Sequence, residues 1–282
     1  MAEALELKRT EEVRRSRVPI SIAFSIAFMA LIVVFAIFGG ALTPHDPAEQ
    51  RLLLGDVPPT AEFWAGTDNL GRDVASRSII GARTALIGAV VVSVGAFAIG
   101  TLLGLTSGYL GGAVDSAVMR WADFMLALPG LLIAIVVVGV IGGGFWIAVL
   151  VLIVLFAAPD TRIVRSAVLE QRTLPYIEAA RTLGVSKPRV IFGHILPNIL
   201  PIIFAYVVLD FAFALVSLAA LSFLGLGVQP GAADWGRMLA ENKSILFTNP
   251  WAALVPALLL VLTAASMNLI GDWFYDRFSL TQ

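Results

Sequence analysis

Few side chains in this sequence could do chemistry, and their spacing excludes most kinds. There are two histidines, His45 and His194, and no cysteine. That leaves no disulfide, no thiolate metal site and too few ligands for an all-protein zinc centre. No Ser-His-Asp, H-E-x-x-H or paired-carboxylate arrangement is visible. The phosphate-binding pattern G-x-x-x-x-G-K-[ST] is absent, and the chain has no Gly-Lys dipeptide at all. ATP hydrolysis by this polypeptide is therefore not expected. What remains is Asp210, a single charge in the otherwise apolar stretch 190–233, with Asn268 as a polar neighbour candidate in the last apolar run. An ionisable group at membrane depth is a functional candidate. Asp210 could meet a cationic group on cargo, pair with an arginine of a partner subunit, or bond to a neighbouring helix. A stand-alone proton-coupled carrier would use it, although such carriers place several ionisable groups at that depth. A channel-like pore would need no energy source.

The elements that must position these residues are membrane helices. Of 282 residues, 59% are hydrophobic and only 14% charged, with a mean hydropathy of +0.90. Soluble domains carry about 25% charged residues, so this chain cannot cover a water-soluble globule and its solvent is the lipid bilayer. Its 19 Lys+Arg against 20 Asp+Glu give no basic field for nucleic acid. A bilayer core of about 30 Å takes about 20 apolar residues in a helix. The charge-free runs place a first span at 18–42, a second near 84–110, a hairpin of 122–141 and 145–159, one crossing near 198–218 and a last span near 251–271. Gly142, Gly143 and Gly144 mark the hairpin turn. The second arm is short before Pro159-Asp160, so its helix is expected to continue through Ile163 and Val164. Gly100, Gly104 and Gly108 recur every four residues, which puts small residues on one face for a close neighbouring helix. The fold class is thus all-α, with six transmembrane helices.

Lysine and arginine placement sets the orientation. With both termini inside, 13 of the 19 basic residues fall on the inner segments and 6 on the outer ones. The expected layout is a cytosolic tail at 1–17, an external loop with a capped helix at 43–83, and a five-helix core at 84–282 with a cytosolic loop at 160–197. Thr67 and Asp68 are read as caps of a helix beginning near Leu70. Asp68, Arg72 and Asp73 lie near the external face, either bracing the first two spans or receiving an external partner. Arg120 and Asp123 share a helix face and are read as an interfacial ion pair. Trp235 and Trp251 are read as outer-belt aromatics.

The inner loop is the most informative segment. Pro175 opens a short helix with Glu178 in its first turn and Arg181 following, and Gly184 stops it. Ser186 and Pro188 start a second helix that ends near His194, before Pro197 opens the next span. Ala179 and Ala180 expose little side chain, while Tyr176, Ile177 and Leu183 are its apolar anchors. Such a helix suits a docking knob for a separate protein, or a plain cytosolic connection.

Glu178-Ala179-Ala180, Gly184, and Leu196-Pro197 at their fixed spacing resemble the EAA signature of ABC importer permeases. The string 194–198 (HILPN) resembles the dipeptide/oligopeptide/nickel branch, as do 66–73 (GTDNLGRD), 221–227 (LSFLGLG), Asp234-Trp235-Gly236, and Asn268 with Gly271-Asp272. The modest loop after the first span is similar to that of the "C"-type subunit of two paired permeases. The resemblance covers nearly the whole chain. It departs at Leu218, where the branch often has Glu, and at Tyr275 and Ser279-Leu280.

The resemblance implies a type I importer fold in the bacterial cytoplasmic (inner) membrane. It implies a homologous second permease, two ABC ATPase subunits that carry the ATP and Mg, and an extracytoplasmic substrate-binding protein. Peptides are the implied cargo. Tyr176, Glu178, Ala179, Ala180, Arg181, Leu183 and Gly184 would form the coupling helix, and Asp210 and Asn268 are candidates for the pathway.

Overall fold

The computed structural model describes residues 19–279, so the tail 1–17 and Leu280 lie outside the described residues. In chain order the helices are α1 (Ile20–Leu42), α2 (Val74–Leu110), α3 (Gly112–Leu126), α4 (Gly130–Ile141), α5 (Phe145–Gln171), α6 (Pro175–Thr182), α7 (Lys187–Val190), α8 (Leu196–Phe223), α9 (Trp235–Asn242) and α10 (Trp251–Ser279). No strand occurs among the described residues; Thr67 and Asp73 form one isolated bridge.

Helices α1, α2, α5, α8 and α10 are each long and apolar enough to cross a bilayer. Helix α4, with 12 residues, is only about 18 Å long. It forms a bent pair with α3, turned by 85° at residues 127–129. Connectivity makes that pair the sixth crossing. Helix α2 ends at the α6 end of the bundle, while α5 begins at the opposite end, where Phe145 faces Gly88 and the Gly144 amide donates to the Leu226 carbonyl at 2.9 Å. The hairpin is as expected, but its first arm is broken: Pro129 has no amide for a continuous helix, and α4 restarts after it.

Helix α2 is the centre of the bundle and packs against α1, α5, α8 and α10. Its tightest neighbour is α5. A Cβ placed on Gly104 would lie 2.7 Å from the Val164 Cβ, and one on Gly108 would lie 2.9 Å from the Val168 Cβ; Gly100 sits against Asp160. The four-residue glycine repeat of α2 thus faces a four-residue repeat of α5, and the two helices run parallel. This contact carries α5 straight through Pro159 to Gln171, so residues 160–171 are helix, with Asp160, Thr161, Val164, Ala167 and Val168 buried, and the loop begins at Arg172.

Two further boundaries differ from expectation for related reasons. Helix α2 starts at Val74, ten residues before 84, because Asp73 caps it by accepting from the Ala75 and Ser76 amides and Arg77 is paired rather than solvated. The first connection is therefore 43–73. At the other end, helices α7 and α8 are not separate. A π turn at Ile191–Ile195 joins them, with the Leu196 amide donating to the Ile191 carbonyl. The wider turn makes room for Pro197, which lacks an amide and crowds the preceding carbonyl.

Candidate functional site

At one end of the bundle the short helix α6 stands out from the span ends. Leu174 precedes it and Pro175 occupies its first position. Ile177 and Ala180, on one face, pack against Val168, Val190 and Ile195. The opposite face presents Tyr176, Glu178, Ala179 and Arg181 to solvent. Leu183 is 82% exposed, the most exposed large hydrophobic of this loop, so it is not an anchor as expected. Ile177 does that work together with the small Ala180. Tyr176 is a tie of another kind: its hydroxyl donates to Gln171 Oε1 at 2.6 Å and accepts from Asn198 Nδ2 at 3.0 Å. It links α5, α6 and α8. Gly184 ends the helix at φ +77°, a left-handed conformation that favours glycine, and the Val185 amide closes the motif on the Ala180 carbonyl. Ser186 sits at the start of α7 but makes no side-chain cap.

At the opposite end lies a buried charge network. Asp68, Arg72 and Asp73 are each almost wholly buried, so their side chains are not on the surface of this chain. Asp68 does not cap a helix. It closes a turn by accepting from the Leu70 and Arg72 amides and from Arg72 Nε at 2.7 Å. Arg72 Nη2 then donates to Glu241 Oε2 at 2.7 Å, and Arg77 Nη2 donates to the same oxygen at 3.2 Å. Arg77 also donates to the Gly231 and Ala232 carbonyls, and Arg237 Nε to Glu241 Oε1. Burial works to raise the Glu241 pKa, but the Gly231 amide, Arg237 and the two other guanidiniums together hold it below its ordinary value. Asp234 goes the other way: burial pushes it up against the opposing bond from the Arg237 amide. Trp235 belongs to this cluster and not to a belt. It is 1% exposed, packs on Gly81, and its Nε1 donates to the Ser78 carbonyl at 2.8 Å. Trp251 is exposed.

Between the two ends, Asp210 on α8 faces Asp160 on α5. One oxygen of each has no partner, and neither has Asn268 Oδ1; no hydrogen bond joins Asn268 to Asp210. The expected Arg120–Asp123 pair is not formed. Asp123 pairs instead with Arg162, and Asp115 with Arg165, which ties α3 to the end of α5. Asp160, Arg77 and Glu241 join the buried polar contacts without being candidates from the sequence. The signal for Asp160 was length, since 145–159 is too short to cross.

No group of His, Cys, Asp and Glu among the described residues could hold a metal ion. A six-crossing helical bundle that exposes a short helix at one end is the architecture of a multi-pass membrane protein. A family model described as "Binding-protein-dependent transport system inner membrane component" matches residues 100–280. Similar proteins include the dipeptide transport system permease DppC of Alkalihalophilus pseudofirmus, 37% identical over 256 residues and covering 89% of this chain and 84% of that one. The oligopeptide transport system permease OppC of Bacillus subtilis is 34% identical, covering 89% and 82%. The glutathione transport system permease GsiD of Pectobacterium atrosepticum is 37% identical, covering 88% and 83%. Among solved structures, the inward-facing MetNI methionine ABC transporter superposes with a TM-score of 0.57 at 21% identity, covering 70% of this chain and 94% of that one. The chain belongs to the family of binding-protein-dependent transport system inner membrane components, and it is a permease subunit with the fold of an ABC importer.

Proposed function

We propose that this permease imports peptides and is driven through α6 by separate ATPase subunits. The observation that carries the proposal is the construction of α6. One face is sealed to the bundle by Ile177 and Ala180, while Glu178, Ala179, Arg181 and Leu183 face outward. An apolar residue as exposed as Leu183, on a small-residue helix, suits insertion into a cleft of another protein. The relatives named for dipeptide, oligopeptide and glutathione transport support peptide cargo.

In this reading the α6 end is cytoplasmic, as the lysine and arginine bias expects, and both termini lie there. The pathway forms between this chain and a homologous permease, with two ATPase subunits below and a binding protein delivering cargo above. Closure of the ATPases moves α6. Tyr176 and the Ile177 contact pass the displacement to α5 and α8, and the π turn makes 187–223 one continuous lever. The spans then tilt as rigid bodies. The charge network at the far end keeps the 43–73 connection and α9 moving with α2. Both polar candidates for the pathway, Asp210 and Asn268, keep one side-chain oxygen without a hydrogen-bond partner.

The test is reconstitution of the full complex in proteoliposomes with labelled dialanine outside. Leu183→Asp is expected to abolish ATP-driven uptake while the chain still inserts and assembles with the second permease. Uptake at the unaltered rate would contradict the proposal.

A further inference from the structure

Where α2, α5 and the 181–187 corner meet, a cavity of about 460 Å³ is lined by Tyr109, Arg172, Arg181 and Lys187. Among the described residues three cations line it and no carboxylate does. Arg172 is fixed there by donating to the Gly108 carbonyl at 2.9 Å, which also satisfies the C-terminal end of α2. Arg181 and Lys187 are exposed and make no ion pair among the described residues. Asp115, which feels the charge of Arg172, is already bonded to Arg165, so the cavity keeps an excess of positive charge.

A second, largely apolar groove of about 550 Å³ lies further along the same helix. Its α2 wall runs from Val94 to Leu105, and its other wall runs back along α8 and the π turn from Val207 to Phe192. Phe192 and Phe204 stand half-exposed along it. The α2 wall is about 16 Å long at 1.5 Å per residue, close to the ~15 Å hydrocarbon depth of one leaflet. Tyr109, one turn beyond Leu105, begins the basic cavity. Polarity therefore changes along α2 over the length at which a phospholipid changes from acyl chain to headgroup.

We propose that this pair of cavities is a binding site for an anionic phospholipid, with the phosphate among Arg172, Arg181 and Lys187 and one acyl chain in the groove between α2 and α8. Basic pockets between membrane helices suit such headgroups. The inference goes beyond the transport reading and does not depend on what the permease carries. It places a lipid against the corner that joins α6 to α7.

Native mass spectrometry of the full chain in detergent tests it, titrating dioleoylphosphatidylglycerol, dioleoylphosphatidylcholine and glycerol phosphate separately. Phosphatidylglycerol is expected to bind more tightly than phosphatidylcholine, by roughly five-fold or more for each cation engaged. Arg181→Glu with Lys187→Glu, both at exposed positions where folding is not at stake, is expected to erase that preference. Ala98→Trp, which fills the groove, is expected to weaken both lipids and leave glycerol phosphate unaffected. Equal affinity for the two lipids, or a preference that survives the double reversal, would overturn the proposal. Glycerol phosphate binding as tightly as the full lipid would reduce the site to an anion pocket and overturn the lipid assignment. A lipid-free cavity in the complete complex, with Lys187 cross-linked to a carboxylate of the ATPase, would assign it to that partner and overturn it too. None of these results bears on whether the complex imports peptides.

Discussion

Arg72 Nη2 lies 2.7 Å from Glu241 Oε2, across 169 residues of sequence and with the arginine side chain only 3% exposed. This ion pair fastens the connection after α1 to helix α9, and Arg77 reinforces it from within α2. Removing one partner of a buried pair leaves the other charge uncompensated. Arg72→Ala is expected to lower stability by about 3 kcal/mol, read as an earlier thermal transition in detergent. Arg72→Lys is expected to recover part of the loss, because it keeps the charge but not the fork that serves Asp68 and Glu241 together.

The same carboxylate gives the network a pH dependence. Its pKa is held below the ordinary 4.5 in the folded chain. The stability it contributes is therefore full above 4.5 and is lost as pH falls below 4.5 through the folded value. A melting series from pH 7 downward should show a decline in that range, and Glu241→Gln should flatten it. Asp234, shifted upward by burial, contributes with the opposite sign, so the decline should steepen in Asp234→Asn.

The packing of α2 on α5 predicts strong position dependence among glycines. Gly104→Val must displace Val164 or the Thr161 carbonyl, which a new Cβ would approach to 2.7 and 2.8 Å. A loss of about 1–3 kcal/mol is expected, as for overpacking elsewhere. Gly40→Ala on α1 meets nothing within 4 Å and should be neutral. Equal effects of the two substitutions in a melting assay would contradict the helix contact.

Glu178→Arg alters an exposed side chain and should leave insertion and melting unchanged while removing ATP-driven uptake. Gly184→Pro cannot keep φ +77°, so it should unwind the α6 C-terminus and have the same transport phenotype. Normal uptake with normal ATPase stimulation in either variant would count against the coupling role of α6.

Reconstituted alone, the chain is expected to show no uptake driven by a proton gradient. Asp210→Asn keeps the size and polarity of the side chain that faces Asp160 and should leave ATP-driven uptake unchanged in the full complex. Gradient-driven uptake by the lone chain, abolished in Asp210→Asn, would instead favour a carrier.

The spans and the loop were legible in the sequence because both rest on local signals. Apolar runs, the glycine repeat and the Pro175–Gly184 helix need no knowledge of distant residues. The positions that misled were those where a charge is buried. Arg77 lies outside the apolar runs, but Glu241 pairs with it from a remote segment and α2 starts ahead of it at Val74. Trp235 read as a belt residue for the same reason: its hydrogen-bond partner is the Ser78 carbonyl, on another helix. Leu183 read as an anchor because it is apolar, yet it points outward, which exposure alone reveals.

The central claim is that α6 is seated on a nucleotide-hydrolysing partner. Since the chain has no cysteine, Leu183→Cys introduces a unique thiol at the exposed edge of that helix. With the complete complex in native membranes, a short thiol-to-amine cross-linker should join this position to the ATPase subunit, and trapping the ATPases with a nonhydrolysable nucleotide should change the yield. A cross-link to the ATPase absent from Leu183→Cys yet present from a thiol at the opposite end, such as Leu53→Cys, would contradict the account.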